Sequence, residues 1–402
     1  MRLYNKLKMK IHWLGLIIVA VLCIAMDVYI CKRLNRAGYR WAARLNALLA
    51  VLSAGLVAAV AVMPLSSATT SNSTFVTGQY MLYTFFTILA PKALGLLLHG
   101  LGRLLKQRWL TIGGFIVAAL VFGVMWWGAI VTPGKIEVKE VELAFERLPD
   151  SFDGYRIVQW SDAHLGTYNG RTAIVKRQIQ AINDLKPDMI CFTGDLVSRK
   201  TDEAEPYREL LAQLHAPDGV FTVLGNHDYD NYSQWDDEKA KEADRKALCD
   251  LQEAAGWRLL NDDYATIKHG DDQIVIIGTE NYGDHPFEKR GNLAKAYSGL
   301  RDRNFKIELQ HNPYAWRANT LTNSNIDLML AGHTHAWQLM FQIGDWRWSP
   351  ACIRYPEWGG AYNEGDRWLY VNIGTGMVGT PMRIGATPEI TVITLKKKVL
   401  SP

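Results

Sequence analysis

Four apolar runs, each long enough to cross a bilayer as a helix, crowd into the first third of this chain, at residues 11–30, 42–64, 75–101 and 110–132. A spanning helix needs roughly 20 predominantly apolar residues, and four such runs joined by short loops do not fit the core of a water-soluble domain. Residues 1–132 are therefore expected to form an all-α membrane region of four transmembrane helices. Whatever the rest of the chain does, it does beside a bilayer.

Lys and Arg in short loops set the orientation of such helices. The 65–74 loop, LSSATTSNST, carries no charge, whereas the 102–109 loop holds Arg103, Lys106 and Arg108. This contrast puts the first loop outside and the second inside, so the fourth helix delivers the remaining chain to the outer side. The N-terminal flank gives a weaker contrast, because Arg2, Lys6, Lys8 and Lys10 oppose Lys32, Arg33, Arg36, Arg40 and Arg44, and Asp27 lies within the first run. The net charge of +4 comes mostly from these flanks. It bears on topology, and no nucleic-acid binding is expected. Five scattered cysteines, none in a C-x-x-C pair, imply neither a disulfide framework nor a zinc knuckle.

Beyond residue 132 the texture changes. A linker with a first strand is expected over 133–154, followed by one α/β domain over 155–402, where short β-branched runs alternate with amphipathic helices. The runs at 156–160, 188–193, 220–224, 273–278, 306–309, 326–330, 369–372 and 389–395 read as strands. Val175, Ile179 and Ile182 share one face of an intervening helix. Five of the strands are followed at once by polar motifs: SDAHLG, GDLVS, GNHDY, QHNP and GHTHAWQ. These place Asp162, His164, Asp195, Asn226, His227, Asp228, His311, His333 and His335 at strand ends, where α/β folds build their sites. Nitrogen and oxygen donors without a thiolate suit Mn, Fe or Zn ions. The candidates outnumber the ligands one ion needs and are enough for two ions sharing a carboxylate. Paired metals recur in phosphoester hydrolysis because together they activate a water and stabilise charge on the attacking and departing oxygens.

The D-A-H, G-D, G-N-H-D, H and G-H-T-H elements, in this order and spacing, resemble those of the calcineurin-like metallophosphoesterases over about residues 155–397. The context PDGVFTVLGNHDY, HNP and PEITVITLK is similar to the membrane-anchored YkuE-type branch of bacterial phosphoesterases. The resemblance implies two packed mixed β-sheets flanked by helices, two divalent ions, and a bacterial membrane protein; with the loop charges, the expected place is the inner membrane with an extracytoplasmic catalytic domain. Carried over residue by residue, it implies Asp162, His164 and His335 on one metal, Asn226, His311 and His333 on the other, and Asp195 bridging. It also implies His227 as the residue that contacts phosphate and protonates the leaving oxygen, with Asp228 orienting its imidazole. Two departures stand out. Ala336 and Trp337 replace the two glycines common after G-H-T-H in this branch, and Ser198 follows GDLV where an acidic residue is common, which bears on the rim beside Arg199.

Residues 337–368 hold Trp337, Trp346, Trp348, Trp358 and Trp368 with Tyr355 and Tyr362. This density fits either a packed lid or a wall that meets lipid. The expected activity is metal-dependent hydrolysis of a lipid-linked or envelope phosphoester, with that ester and membrane lipids as partners. Two alternatives stay open: a pyrophosphate hydrolase of the UDP-diacylglucosamine type, and a catalytically silent membrane receptor or scaffold.

Overall fold

The computed structural model describes residues 2–398, with side chains from residue 19 onward. The chain divides into two compact units: residues up to Pro64 with Thr77–Trp126, and Leu65–Val76 with everything from Trp127.

The first unit is helical. Its helices are α1 (Arg2–Arg36), α2 (Arg40–Val62), α3 (Asn72–Leu104) and α4 (Arg108–Ile130), the first residues of α3 and the last of α4 belonging to the other unit. Among the described residues three helical stretches, Arg40–Val62, Asn72–Leu104 and Arg108–Gly134, are long and apolar enough to cross a membrane. The span expected at 11–30 falls on α1, and its residues up to 18 lie outside the described side chains. Large apolar side chains such as Val51, Val62 and Leu120 point outward, which suits lipid rather than water. Asp27 of α1 is paired with Lys92 of α3 at 2.8 Å. That partnership is how a carboxylate is tolerated within a membrane helix.

Among the described residues the second unit has fourteen strands. They are β1 (Glu137–Phe145), β2 (Arg156–Trp160), β3 (Met189–Phe192), β4 (Val220–Thr222), β5 (Trp257–Leu259), β6 (Asp263–His269), β7 (Asp272–Gly278), β8 (Phe305–Leu309), β9 (Leu328–Ala331), β10 (Phe341–Ile343), β11 (Trp346–Trp348), β12 (Gly360–Glu364), β13 (Arg367–Val371) and β14 (Glu389–Lys397). Two six-stranded mixed sheets result, ordered β1-β14-β2-β3-β4-β5 and β12-β13-β9-β8-β7-β6, and β10 pairs with β11 alone.

Period-two alternation sorts the apolar side chains between layers. Ile157, Met189, Cys191, Ile393 and Leu395 from the first sheet meet Ile274, Ile276, Phe305, Ile307 and Leu328 from the second in one buried cluster. The opposite face of the first sheet, with Val158, Trp160, Ile190 and Phe192, packs on Val175, Ile179 and Ile182 of helix α5 (Thr172–Asp184) and on Leu248 and Leu251 of helix Glu238–Ala254. Strands buried on both faces read as continuous apolar runs, which is why β3 and β9 are visible in the sequence.

The loop Leu65–Val76 is part of this second unit. Lys200 Nζ donates to Ala68 O at 2.8 Å, Asn72 Nδ2 donates to Gly166 O at 2.7 Å, and the guanidinium of Arg199 lies 3.9 Å from the Phe75 ring centre.

Candidate functional site

Strands β2, β3 and β4 run parallel and side by side, as do β8 and β9 in the other sheet. The loops leaving their C-terminal ends meet. His311 Nε2 lies 3.1 Å from Asp195 Oδ2, and His335 Nε2 lies 3.1 Å from Asp162 Oδ1. Close approach of the loops depends on absent side chains: a Cβ on Gly225 would sit 2.2 Å from Asp195 Oδ1, and one on Gly332 would sit 2.0 Å from Ser161 Oγ. Asp162, His164, Asp195, His333 and His335 all adopt positive φ, between 39° and 74°. Each costs about 1 kcal/mol in an L-residue, strain of the kind that gathers at working sites.

Three groups of donors converge: Asp162, His164 and His335; His164, Asp195 and His227; and Asp195, His311 and His333. Asp195 is the carboxylate common to two of them. Asn226 joins them from the same loop as His227, its Oδ1 buried without a partner while its Nδ2 donates to Tyr232 Oη at 2.8 Å.

The electrostatics call for cations. Burial opposes ionisation of Asp195, yet His311, His227 and His164 around it outweigh burial and hold its carboxyl well below the usual range. Burial likewise opposes the charge on Asp162, and His335 and His311 hold it low. Burial pushes His164 well below its ordinary pKa and, with His311 adjacent, pushes His333 down to about 3. These rings are therefore neutral, the form that ligates metal. At His311 burial again disfavours the proton, but Asp195 and Asp162 prevail and raise it to about 9. Ring nitrogens face one another at 3.1 Å between His164 and His335, and at 3.3 Å between His311 and His333. Lone pairs aimed at lone pairs and carboxylates are stable around positive charge, either protons or metal ions that displace them. The donor set fits divalent ions bound through nitrogen and oxygen.

Supporting contacts fix the rings. His311 Nδ1–H donates to Thr193 O at 2.8 Å, leaving Nε2 toward Asp195. His227 Nδ1–H donates to Ser198 O at 2.7 Å, and His164 Nδ1 lies 3.1 Å from Ser198 Oγ. Tyr355 Oη meets His333 Nε2 at 2.8 Å, which leaves His333 Nδ1 toward His311. Arg383 Nη2 lies 3.0 Å from His335 Nδ1, holding that ring with Nε2 toward Asp162. Tyr232 stacks on His227 with ring centres 3.8 Å apart. Tyr232 and Arg383 do these jobs without any strand-end motif to mark them; Ser198 closes the GDLVS motif, and Tyr355 stood out as one of the dense aromatics.

Two expectations are corrected. Asp228 does not orient the imidazole of His227; its carboxylate accepts backbone N–H groups from Asp195, Leu196, Val197 and Gly225, clamping two strand-end loops together. Nor does Arg199 flank a rim. It is 2 % exposed, between Phe75 and Glu203.

The donors open into a cavity of about 540 Å³, walled by Pro286, Phe287, Trp337, Tyr355 and Val378 beside Asp195, Asn226, His227 and His333. A surface depression of about 620 Å³ along Glu238–Cys249 holds none of these donors, and the chemistry belongs to the former. Ala336 and Trp337, in place of the branch's glycines, keep the left-handed backbone glycine would favour, with φ of 50° and 44°. The aromatic segment divides. Tyr355 and Trp358 pack with Ala336, Met340 and Ala351 in a small core, while Trp337, Trp346 and Trp348 stay exposed.

Residues 155–337 match the family described as calcineurin-like phosphoesterase. The metallophosphoesterase YkuE of Bacillus subtilis is 35% identical over 274 residues, covering 66% of this chain and 87% of that protein. A transmembrane protein with metallophosphoesterase domain from Danio rerio is 29% identical over 336 residues, covering 80% and 72%. The UDP-2,3-diacylglucosamine pyrophosphatase LpxG of Chlamydia trachomatis is 26% identical over 250 residues, covering 53% and 73%. The chain belongs to the calcineurin-like metallophosphoesterases. It is a metal-dependent phosphoester hydrolase, which displaces the silent-scaffold alternative.

Asp195→Asn removes the negative charge shared by two donor groups. Elemental analysis of the purified variant should show loss of bound divalent ion, with hydrolysis down by about 10²–10³-fold. Unchanged metal content at near-normal turnover would contradict a shared role for Asp195.

Proposed function

We propose that this chain is a membrane-anchored dimetal phosphoester hydrolase that cleaves a lipid-linked or other envelope phosphoester on the extracytoplasmic side. The observation that carries this reading is the convergence of three His/Asp groups, two of them sharing Asp195, beside a cavity whose wall is partly apolar. Asp162, His164 and His335 would hold one ion, Asn226, His311 and His333 the other, and Asp195 both. Bound there, Mn, Fe or Zn would supply Lewis-acid stabilisation and an activated water.

The chain's own residues do the rest. His227, its Nδ1–H committed to Ser198 O, keeps Nε2 for the substrate. Burial lowers its pKa, and a phosphate docking against the ring restores the negative charge that favours its protonated, acid form. The apolar part of the wall, Pro286, Phe287, Trp337 and Val378, suits an amphiphile's non-polar portion.

For sidedness, the uncharged 65–74 loop against the basic 102–109 loop supports an outer catalytic domain. The hydrogen bonds of Leu65–Val76 within the second unit support one shared side for loop and domain. Similarity to LpxG favours a second reading, cleavage of a nucleotide-linked acylated sugar, a substrate of the cytoplasmic face.

The chemistry is tested on the full-length protein in detergent with nitrophenyl phosphodiesters. Chelation should abolish turnover and divalent metal restore it. His227→Ala should keep its metal but lose about 10²–10⁴-fold on alkyl esters and much less on nitrophenyl esters, whose anion departs without a proton. Equal losses on both would make His227 a phosphate-binding residue instead.

Sidedness is tested by fusing reporters after Pro402. A periplasm-active reporter should give signal and a cytoplasm-active one none. The reverse would favour the nucleotide-linked lipid.

A further inference from the structure

The hairpin β10–β11 pairs with neither six-stranded sheet. Its register sets Phe341 opposite Trp348, Gln342 opposite Arg347, and Ile343 opposite Trp346. Partners across an antiparallel pair share a face, and neighbours along a strand alternate. One face is therefore Phe341, Ile343, Trp346 and Trp348, and the other is Gln342 and Arg347.

The Arg347 face is the one turned to the domain. Its guanidinium lies 5.8 Å from the Trp358 ring centre, and its Nη2 would be 2.7 Å from a Cβ placed on Gly360. The apolar face is thus turned outward, and Phe341, Ile343, Trp346 and Trp348 are 50%, 76%, 57% and 38% exposed. A hairpin on a water-soluble domain turns its apolar face inward; this one is inverted. Ile353, at 77% exposure, adds to the same stretch of chain. A contiguous outward apolar surface marks a partner or a membrane.

The chain's own helices, long and apolar enough to cross a membrane, name the occupant. They keep a bilayer beside the domain at all times, and two Trp, a Phe and an Ile with the Arg on the reverse face is the composition of elements that settle at the headgroup boundary.

We propose that the outward face of hairpin 341–348 inserts into the interface of the membrane that anchors the chain. There it holds the cavity mouth, lined by Trp337 shortly before β10, at headgroup depth. This deepens the amphiphilic-substrate reading and rests on it for its purpose, though contact with lipid can be read without any activity.

The test uses full-length, metal-loaded protein in phosphatidylethanolamine–phosphatidylglycerol nanodiscs, with Ile343→p-benzoylphenylalanine. Irradiation should add phospholipid mass to the peptide containing residue 343, as at Leu120 in α4, and not at Lys246 on helix Glu238–Ala254. No lipid adduct at 343, or an adduct to a second copy of the chain, would overturn the proposal. A second variant combines Phe341→Ser, Ile343→Ser, Trp346→Ser and Trp348→Ser. It should hydrolyse a soluble nitrophenyl diester at the parent's rate while losing about tenfold on a long-chain lipid phosphate in the bilayer. Unchanged bilayer turnover would likewise overturn it. A parent inactive on every ester but crosslinked to lipid would sink the phosphoester reading and leave the membrane contact standing.

Discussion

Two carboxylates buried among inward-turned imidazoles are the constraint on which the domain turns. Asp162 and Asp195 are fully withdrawn from water, and the rings of His164, His311, His333 and His335 aim nitrogen atoms at them or at one another within 3.6 Å. Burying ionised carboxylates is costly unless positive charge accompanies them. The arrangement is thus favourable around cations and unfavourable without them. It also requires five strand ends from two sheets to arrive together, which the parallel runs β2-β3-β4 and β8-β9 accomplish by ending at one edge of the sandwich.

Holding that edge together draws on stability made elsewhere. Left-handed backbone at Asp162, Asp195, His333 and His335 is tolerated because the strands behind them are anchored in the inter-sheet core, with Ile157, Met189, Ile307 and Leu328 fully buried. The clamp of Asp228 on four backbone amides and the bonds of Ser198 to two histidines tie the loops laterally. Ala336 and Trp337 accept the same strain where glycine would relieve it. What they gain is a buried methyl in the small core under the lid and an aromatic wall on the cavity.

Much of this was legible in the residues. Strands buried on both faces announce themselves as apolar runs, and the donors follow them directly, so Asp162 through His335 could be gathered before any coordinates. Strands β5, β6 and β12 escaped because they are short or face solvent on alternate residues, as in the pattern of β6. Asp228 was misjudged because adjacency to His227 in sequence says nothing of where a carboxylate points once the strand has ended. Arg383 reaches the site across the fold, and no local pattern records its contact with His335. The aromatic segment held both of its readings at once: Tyr355 and Trp358 are packed, and the apolar residues of 341–348 are not.

The metal centre is central, because the membrane helices, the cavity and the outward hairpin acquire a common purpose only if the α/β domain performs phosphoester chemistry. The most direct measurement is X-ray absorption on the full-length protein loaded with manganese, together with its metal stoichiometry. Two ions per chain, each with nitrogen and oxygen neighbours and a metal–metal distance of about 3.5–4 Å, are predicted. A single ion, or two without a metal–metal vector in that range, would contradict the shared position of Asp195 and the two-ion mechanism with it.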